Sequence, residues 1–400
     1  MDPKYRAAFN AAYSPELVAR LMKTLEDRVG YVPFRVAETP LFISPELRAY
    51  LAQSALDITA QLSPPEVVAK LKKAIPKEYD VPGMDELPNT AQVDFALVEG
   101  KDGKLEGRLI EMQGFPSLYA LMPVMGECWA EVMKGIPGLE GPWSAWIPKS
   151  RTEAVDVLRR TIVADCDPKE VVLVDIYPEK QKTRSDFVAT RQLLGVDELC
   201  VTKILVEGRK LFRMKDGKKL PIKRIYNRMV FDELQAKKVQ APFKWSDELD
   251  VTWCSHPNWY WTWSKYCLPY LKHPAVPETR FLSEIDKLPE DLENYVLKPL
   301  FSFAGGGVII DVTQDAIHRI PAEQRPFWVL MRKIAYAPAV KMPDGTGVKA
   351  EVRVMLARPP GDKVMTPLLC LVRTSRGKMI GVDHNKDMPW TGGSVGMWTA

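Results

Sequence analysis

The chain has 400 residues, 46% hydrophobic and 26% charged, which excludes a disordered polymer and a membrane-embedded protein. Fifty-five Lys and Arg against 51 Asp and Glu leave a formal charge of only +4, so composition offers no electrostatic argument for a nucleic-acid partner. No window approaches the roughly 18 uninterrupted apolar residues that a spanning helix needs. Met1 to Arg6 lacks the basic-then-apolar order of a secretory signal, and the six cysteines are scattered without a CxxC pair. The expectation is a reduced, cytoplasmic chain of two or three domains with no membrane partner; its oligomeric state is unreadable.

In chain order, residues 1–90 read as helices announced by Ser-Pro. Ser14-Pro15, Ser44-Pro45 and Ser63-Pro64 each place a hydroxyl at the N-cap and a fixed φ at the first helical position. Ser63 with Glu66 has the spacing of a capping box. From residue 91 the period falls to two: Val93, Phe95 and Leu97 alternate with Asp94 and Ala96, Gly100 to Gly103 turns the chain, and Gly107 to Gln113 returns. A Pro- and Gly-dotted stretch from Pro123 to Pro148 marks a boundary.

Residues 170–250 read as an α/β unit. Val171 to Ile176 is a short apolar run of the buried parallel type, a helix is expected over Ser185 to Leu194, and strands near Cys200–Leu205 and Arg224–Arg228 follow. Ligands of open α/β sheets lie beyond the strands' carboxyl ends, so Asp175, Thr183, Arg184, Asn227 and Arg228 are substrate-site candidates, or else surface polar residues. The last 150 residues give five strands, Tyr295–Pro299, Val308–Asp311, Trp328–Ile334, Ala350–Leu356 and Pro367–Ser375, with a helix over Thr313–Ile320.

The most informative string is Tyr295 to Val308. A lysine inside an apolar strand, Lys298, is expensive to bury without an anionic partner. Gly305, Gly306 and Gly307 just beyond it allow backbone amides to approach phosphate. There is no GxxxxGK[ST], so this is not a Walker A loop. Asp94, Glu111 and Gln113 fall on alternating positions of the hairpin, and either register could gather their oxygens for magnesium. Spacing alone equally allows an exposed polar face. Glu351 and Arg353 share a strand face, with Arg373 able to project into the same space, as phosphate ligand or structural ion pair. Asp383, His384 and Asn385, or Glu351, are alternative metal groups. The run Trp253, Trp259, Trp261, Trp263 reads as core or, if exposed, as a partner surface.

From Trp253 to Ser375 the order of motifs resembles an ATP-grasp nucleotide-binding region: VPETRFL (276–282), YVLKP (295–299), a Gly loop, a hinge strand (329–334) and EVRV (351–354). The acidic and Glu-x-Asn elements that usually follow are missing there. Asp94 and IEMQGFPSLYAL (110–121) look like that piece moved to the front, an arrangement similar to circularly permuted ATP-grasp families such as glutathionylspermidine synthase. HPNWYWTWSKYCLPYL (256–271) resembles the lysine-bearing helix ahead of their ATP lobe. Gln113 stands where Asn is usual, Gln92 where that family has an arginine, and Arg332 where an acidic hinge residue is common.

The resemblance implies an α+β (α/β) ATP-grasp fold, circularly permuted: a helical segment (1–90), a displaced metal-binding part (91–150), a Rossmann-like pre-ATP-grasp domain (151–250) and nucleotide-binding lobes (251–400). It implies ATP and Mg2+ as cofactors, with small-molecule or peptide carboxylate and amine substrates. Lys298, Lys265, the glycine loop and the Lys333–Ile334 backbone would hold ATP. Asp94, Glu111 and Gln113 would hold magnesium, and Arg353 and Arg228 would serve catalysis. Three readings stand: a carboxylate–amine ligase, a phosphotransferase or regulatory nucleotide binder, and a non-enzymatic interaction protein.

Overall fold

The structure, a computed structural model, describes residues 2–301, 306–377 and 387–399. Its centre is an eight-stranded sheet whose main path runs Leu41–Phe42, Gly392–Thr399, Thr366–Ser375, Gly347–Ala357, Thr90–Glu99 and Leu105–Gln113. Strands from both halves of the chain therefore share one sheet, and Thr90–Glu99 pairs antiparallel with Gly347–Ala357. Away from the register shifts, side chains alternate between the two faces. Val93, Phe95, Val352, Val354 and Val372 are buried apolar residues on one face, the side on which the Gly107 backbone meets Leu51 of helix Pro45–Gln61. Asp94, Glu351, Arg353 and Arg373 take the opposite face.

A β-bulge sets the end of the return strand. Asp94 pairs with Glu111 and Phe95 with Leu109, which leaves Ile110 without a partner. Gln92 then pairs with Gln113. The next residue, Gly114, is packed so closely that a Cβ there would lie 2.3 Å from the carbonyl oxygen of Trp259. Its N–H donates to the Trp263 carbonyl at 2.7 Å. That contact anchors the short helix Trp259–Thr262 and, behind it, the turn carrying Lys265.

The α/β unit is a parallel sheet in the order Thr252–Cys254, Arg224–Asn227, Val171–Asp175, Asp197–Cys200. Helix Arg184–Leu194 connects the last two in the expected place. Residues 205–222 form a three-stranded meander that the sequence pattern did not announce. A third body, an antiparallel sheet of Thr279–Phe281, Trp328–Arg332 and Tyr295–Pro299, carries Lys298. No described helix is long and apolar enough to cross a membrane.

Three expectations are corrected. Ser63 does not cap its helix: Pro65 takes the first helical position, Pro64 becomes the cap residue, and the Ser63 hydroxyl donates back to Thr59. The Pro- and Gly-dotted stretch opens with helix Leu121–Met133, among the most buried in the molecule; Pro123 sits in its first turn, where no intrahelical N–H bond is lost. Among the described residues Val308–Asp311 forms no strand and contributes one bridge, Ile309 to Leu297, before the chain packs Val312, Ile317 and Ile320 into the same lobe core. The tryptophan run is core: Trp253, Trp259, Trp261 and Trp263 are all buried.

Candidate functional site

The eight-stranded sheet, the Lys298 lobe, the Lys265 turn and the carboxyl ends of the parallel strands wall one cavity of about 990 Å³. That is the top of the roughly 300–1,000 Å³ range of small-molecule sites, enough for more than one ligand. Val296, Lys298 and Leu300 line it from alternating positions of their strand, while Leu297 turns into the lobe's own core.

Lys298 is 7% exposed, and its Nζ donates to the Ile110 carbonyl at 3.0 Å. The bulge thus supplies the lysine with a backbone acceptor freed from the ladder. Burial drives the Lys298 pKa down to about 8, against the opposing pull of Glu111. Lys265 is 6% exposed and lies 3.9 Å from Glu111. Burial alone would raise the Glu111 pKa; Lys265, Arg373, Arg353 and Lys298 outweigh it and hold the carboxyl at about 2. Gln113 donates to Glu111 at 3.1 Å.

A continuous polar network crosses the same face. Tyr336 donates to Glu351 at 2.6 Å, Arg373 bridges Glu351 (3.0 Å) and Asp94 (2.5 Å), and Arg353 grips both Asp94 oxygens at 2.5 and 2.7 Å. Arg353 also donates to Gln92, whose amide donates to the Ser117 carbonyl at 2.6 Å. Burial raises the Glu351 pKa, with Arg373 and Tyr336 opposing.

The structure brings Lys298, Lys265, Glu111, Gln113, Arg353, Arg228, Lys333 and Ile334 to the cavity wall. Asp94 lies beneath the wall, fully buried under two guanidinium groups. Gly306 and Gly307 form the turn after the lysine strand, with φ +73° at Gly307, where a Cβ would crowd Pro299. Gly305, Asp383, His384 and Asn385 lie outside the described residues. The Lys333 N–H donates to the Asn294 carbonyl at 2.7 Å, and Lys333 and Ile334 both line the cavity.

Among the described residues, no three His, Cys, Asp or Glu side chains form a group able to hold a metal ion. The trio Asp94, Glu111 and Gln113 does not fit magnesium as arranged, because both Asp94 oxygens already accept from arginine. Sequence reasoning missed Tyr336 and the Ile110 carbonyl. Tyr336 stands in an irregular segment with no periodicity, and the carbonyl is exposed by a bulge.

At the far end of the cavity, Asp175, Lys180, Thr183 and Arg228 line the carboxyl ends of the parallel strands; Arg184 and Asn227 do not reach it. Arg228 donates to the Pro116 carbonyl and, at 3.3 Å, to Thr183, and lies 3.9 Å from the fully buried Asp186. Asp186 in turn accepts from the amides of Leu118, Ala120 and Leu121. The loop 115–118 is therefore pinned by both walls. A smaller cavity of about 420 Å³ lies on the opposite edge of the parallel sheet, beside Asn89, Arg224, Trp253 and His256.

No protein-family model and no curated protein sequence matches the chain. Among solved structures, a glutathione synthetase-like effector from Globodera pallida, in apo form, superposes with a TM-score of 0.53 at 12% identity. The match covers 91% of this chain and 95% of that one. The mixed α/β architecture is thus similar in fold to that neighbour.

Proposed function

We propose that the protein is an ATP-dependent carboxylate–amine ligase, with ATP held between the Lys298 lobe and the eight-stranded sheet. The observation that carries this reading is the cluster of cations, the buried Lys298, Lys265 and Arg353 and the partly buried Arg373, on one wall of a cavity flanked by the apolar Val296, Met331 and Ile334. A triphosphate offers the negative charge that such a wall lacks, and an adenine ring suits the apolar flank. The pairing of Thr90–Glu99 with Gly347–Ala357 supports the circular permutation, since the front hairpin completes the sheet of the rear strands.

In this reading a substrate carboxylate oxygen attacks the γ-phosphorus, and ADP leaves. The amine nitrogen then attacks the acyl carbon of the acylphosphate, a C–N bond forms, and phosphate departs with the C–O electron pair. Lys298 and Lys265 bind the phosphates, Arg353 faces the transferring group, and Arg228 orients a substrate anion at the far wall. Because Asp94 is tied to two arginines, a second reading keeps the nucleotide site without ligation, as a phosphotransferase or regulatory binder.

Calorimetric titration with a non-hydrolysable ATP analogue tests the common core of both readings. Lys298→Ala is expected to weaken binding at least tenfold while the thermal midpoint is retained; equal affinity in the variant would remove the nucleotide site. Turnover of ATP that requires both an added acid and an amine separates the ligase from the second reading.

A further inference from the structure

We propose that Asp94 is the shared counter-ion of a two-arginine receptor, Arg353 and Arg373, for a terminal phosphoryl group, and not a metal ligand. The proposal rests on the nucleotide reading above and assigns which side chains meet the outermost phosphate.

Three bonds from two guanidinium groups fall on the two Asp94 oxygens: Arg353 Nε on Oδ1, and Arg353 and Arg373 terminal nitrogens on Oδ2. Asp94 is also fully buried. Magnesium demands near-octahedral oxygen at about 2.0–2.1 Å and retains water. On Asp94 it would have to displace an arginine and sit against the positive charge left behind. The geometry instead suits a fixed anion that holds two cations side by side despite their repulsion.

Both arginines keep donors to offer. A guanidinium carries five N–H groups. Arg353 gives Nε and one bond from each terminal nitrogen to Asp94 and Gln92. Arg373 bonds Asp94 and Glu351 through one terminal nitrogen, and its Nε is buried without a hydrogen-bond partner. That orphaned donor costs free energy until an acceptor arrives. Arg373 stays 22% exposed at the cavity wall, so a ligand can reach it. Four cations, Arg353, Arg373, Lys298 and Lys265, face three acids, Asp94, Glu111 and Glu351, leaving the wall electropositive. Planar forks aimed from adjacent strands match the oxygens of a tetrahedral dianion.

The test compares ADP with its β,γ-imido triphosphate analogue by calorimetry, and follows Mn2+ in the analogue complex by electron paramagnetic resonance. Wild type is expected to bind the analogue at least tenfold tighter than ADP. Arg373→Met should erase that preference by weakening the analogue far more than ADP, and Arg373→Lys should restore part of it. Asp94→Asn, if folded, should retain Mn2+ affinity within about twofold, since no metal bond is removed. A tenfold loss of Mn2+ affinity in Asp94→Asn, or an intact analogue preference in Arg373→Met, overturns the proposal. Equal binding of ADP and analogue by wild type overturns it alone. Binding of neither overturns the nucleotide reading and this one together.

Discussion

The two walls of the cavity treat a carboxylate in opposite ways. On the eight-stranded sheet, Glu111 sits among Lys265, Arg373, Arg353 and Lys298 and is held ionised, with a pKa of about 2. Across the cavity, Asp175 ends a parallel strand and accepts its neighbour Ile176 N–H at 2.7 Å. Burial, only partly opposed by Arg228, pushes its pKa up to about 7. Burial alone therefore does not decide charge in this protein; the number of cations in reach does. One wall is set to receive anions at any physiological pH, and the other gains or loses a proton near neutrality.

The largest expected effect breaks the second half of that contrast. The folded Asp175 pKa lies above its unfolded value of 3.8, so its ionisation costs stability that is lost as pH rises from about 4 to 7. Asp175→Asn should remove that cost, stabilising the protein at pH 8 by up to about 4 kcal/mol and flattening the fall in thermal midpoint between pH 5 and 8. Glu111 runs the other way. Its folded pKa lies below the unfolded 4.5, so its contribution is present above pH 4.5 and lost towards pH 2. Glu111→Gln should destabilise by about 2 kcal/mol at pH 7, less than a fully buried pair because the side chain is 23% exposed, with no further loss on acidification from this site. Opposite signs for the two variants in denaturant titrations sharpen the comparison; equal signs break it.

A smaller effect probes the anion wall directly. With the Lys298 pKa near 8, affinity for the triphosphate analogue should fall about fivefold between pH 8 and 9, a change of about 1 kcal/mol, and Lys298→Ala should abolish the slope. The smallest is a control remote from both walls. Ser44 caps helix Pro45–Gln61 by accepting from the Leu47 amide, so Ser44→Ala should cost about 1 kcal/mol without altering either pH dependence.

Much of this architecture could be read from residue order alone, where local chemistry decides structure. The Ser14 and Ser44 caps, the Tyr295–Pro299 strand and the Val171–Asp175 strand follow from capping chemistry and apolar periodicity. The placing of Lys298, Glu111 and Arg353 near one another was implied only by the resemblance of the motif order to ATP-grasp proteins. What stayed hidden depends on distant partners. Strand Gly392–Thr399 is rich in glycine and small residues, and is a strand because Thr366–Ser375 and Leu41–Phe42 flank it. The role of Asp94 was equally hidden: an aspartate in a strand reads as an available ligand until two arginines from strands more than 250 residues away close on it.

The bulge at Ile110 has an arithmetical consequence. In an unbroken strand every odd-numbered residue from Leu105 to Gln113 would share one face. One uncounted residue changes the parity midway: Gly107 and Leu109 lie with Leu97 and Phe95 on the helix-covered side, while Glu111 and Gln113 lie with Asp94 and Gln92 on the cavity side. A single strand thereby serves the core with one half and the site with the other. The site's sidedness is thus fixed by a count of residues. A one-residue insertion between Gln113 and Gly114 keeps that count but displaces Gly114 from its packed place against Trp259. One between Leu109 and Glu111 rewrites which half does which task.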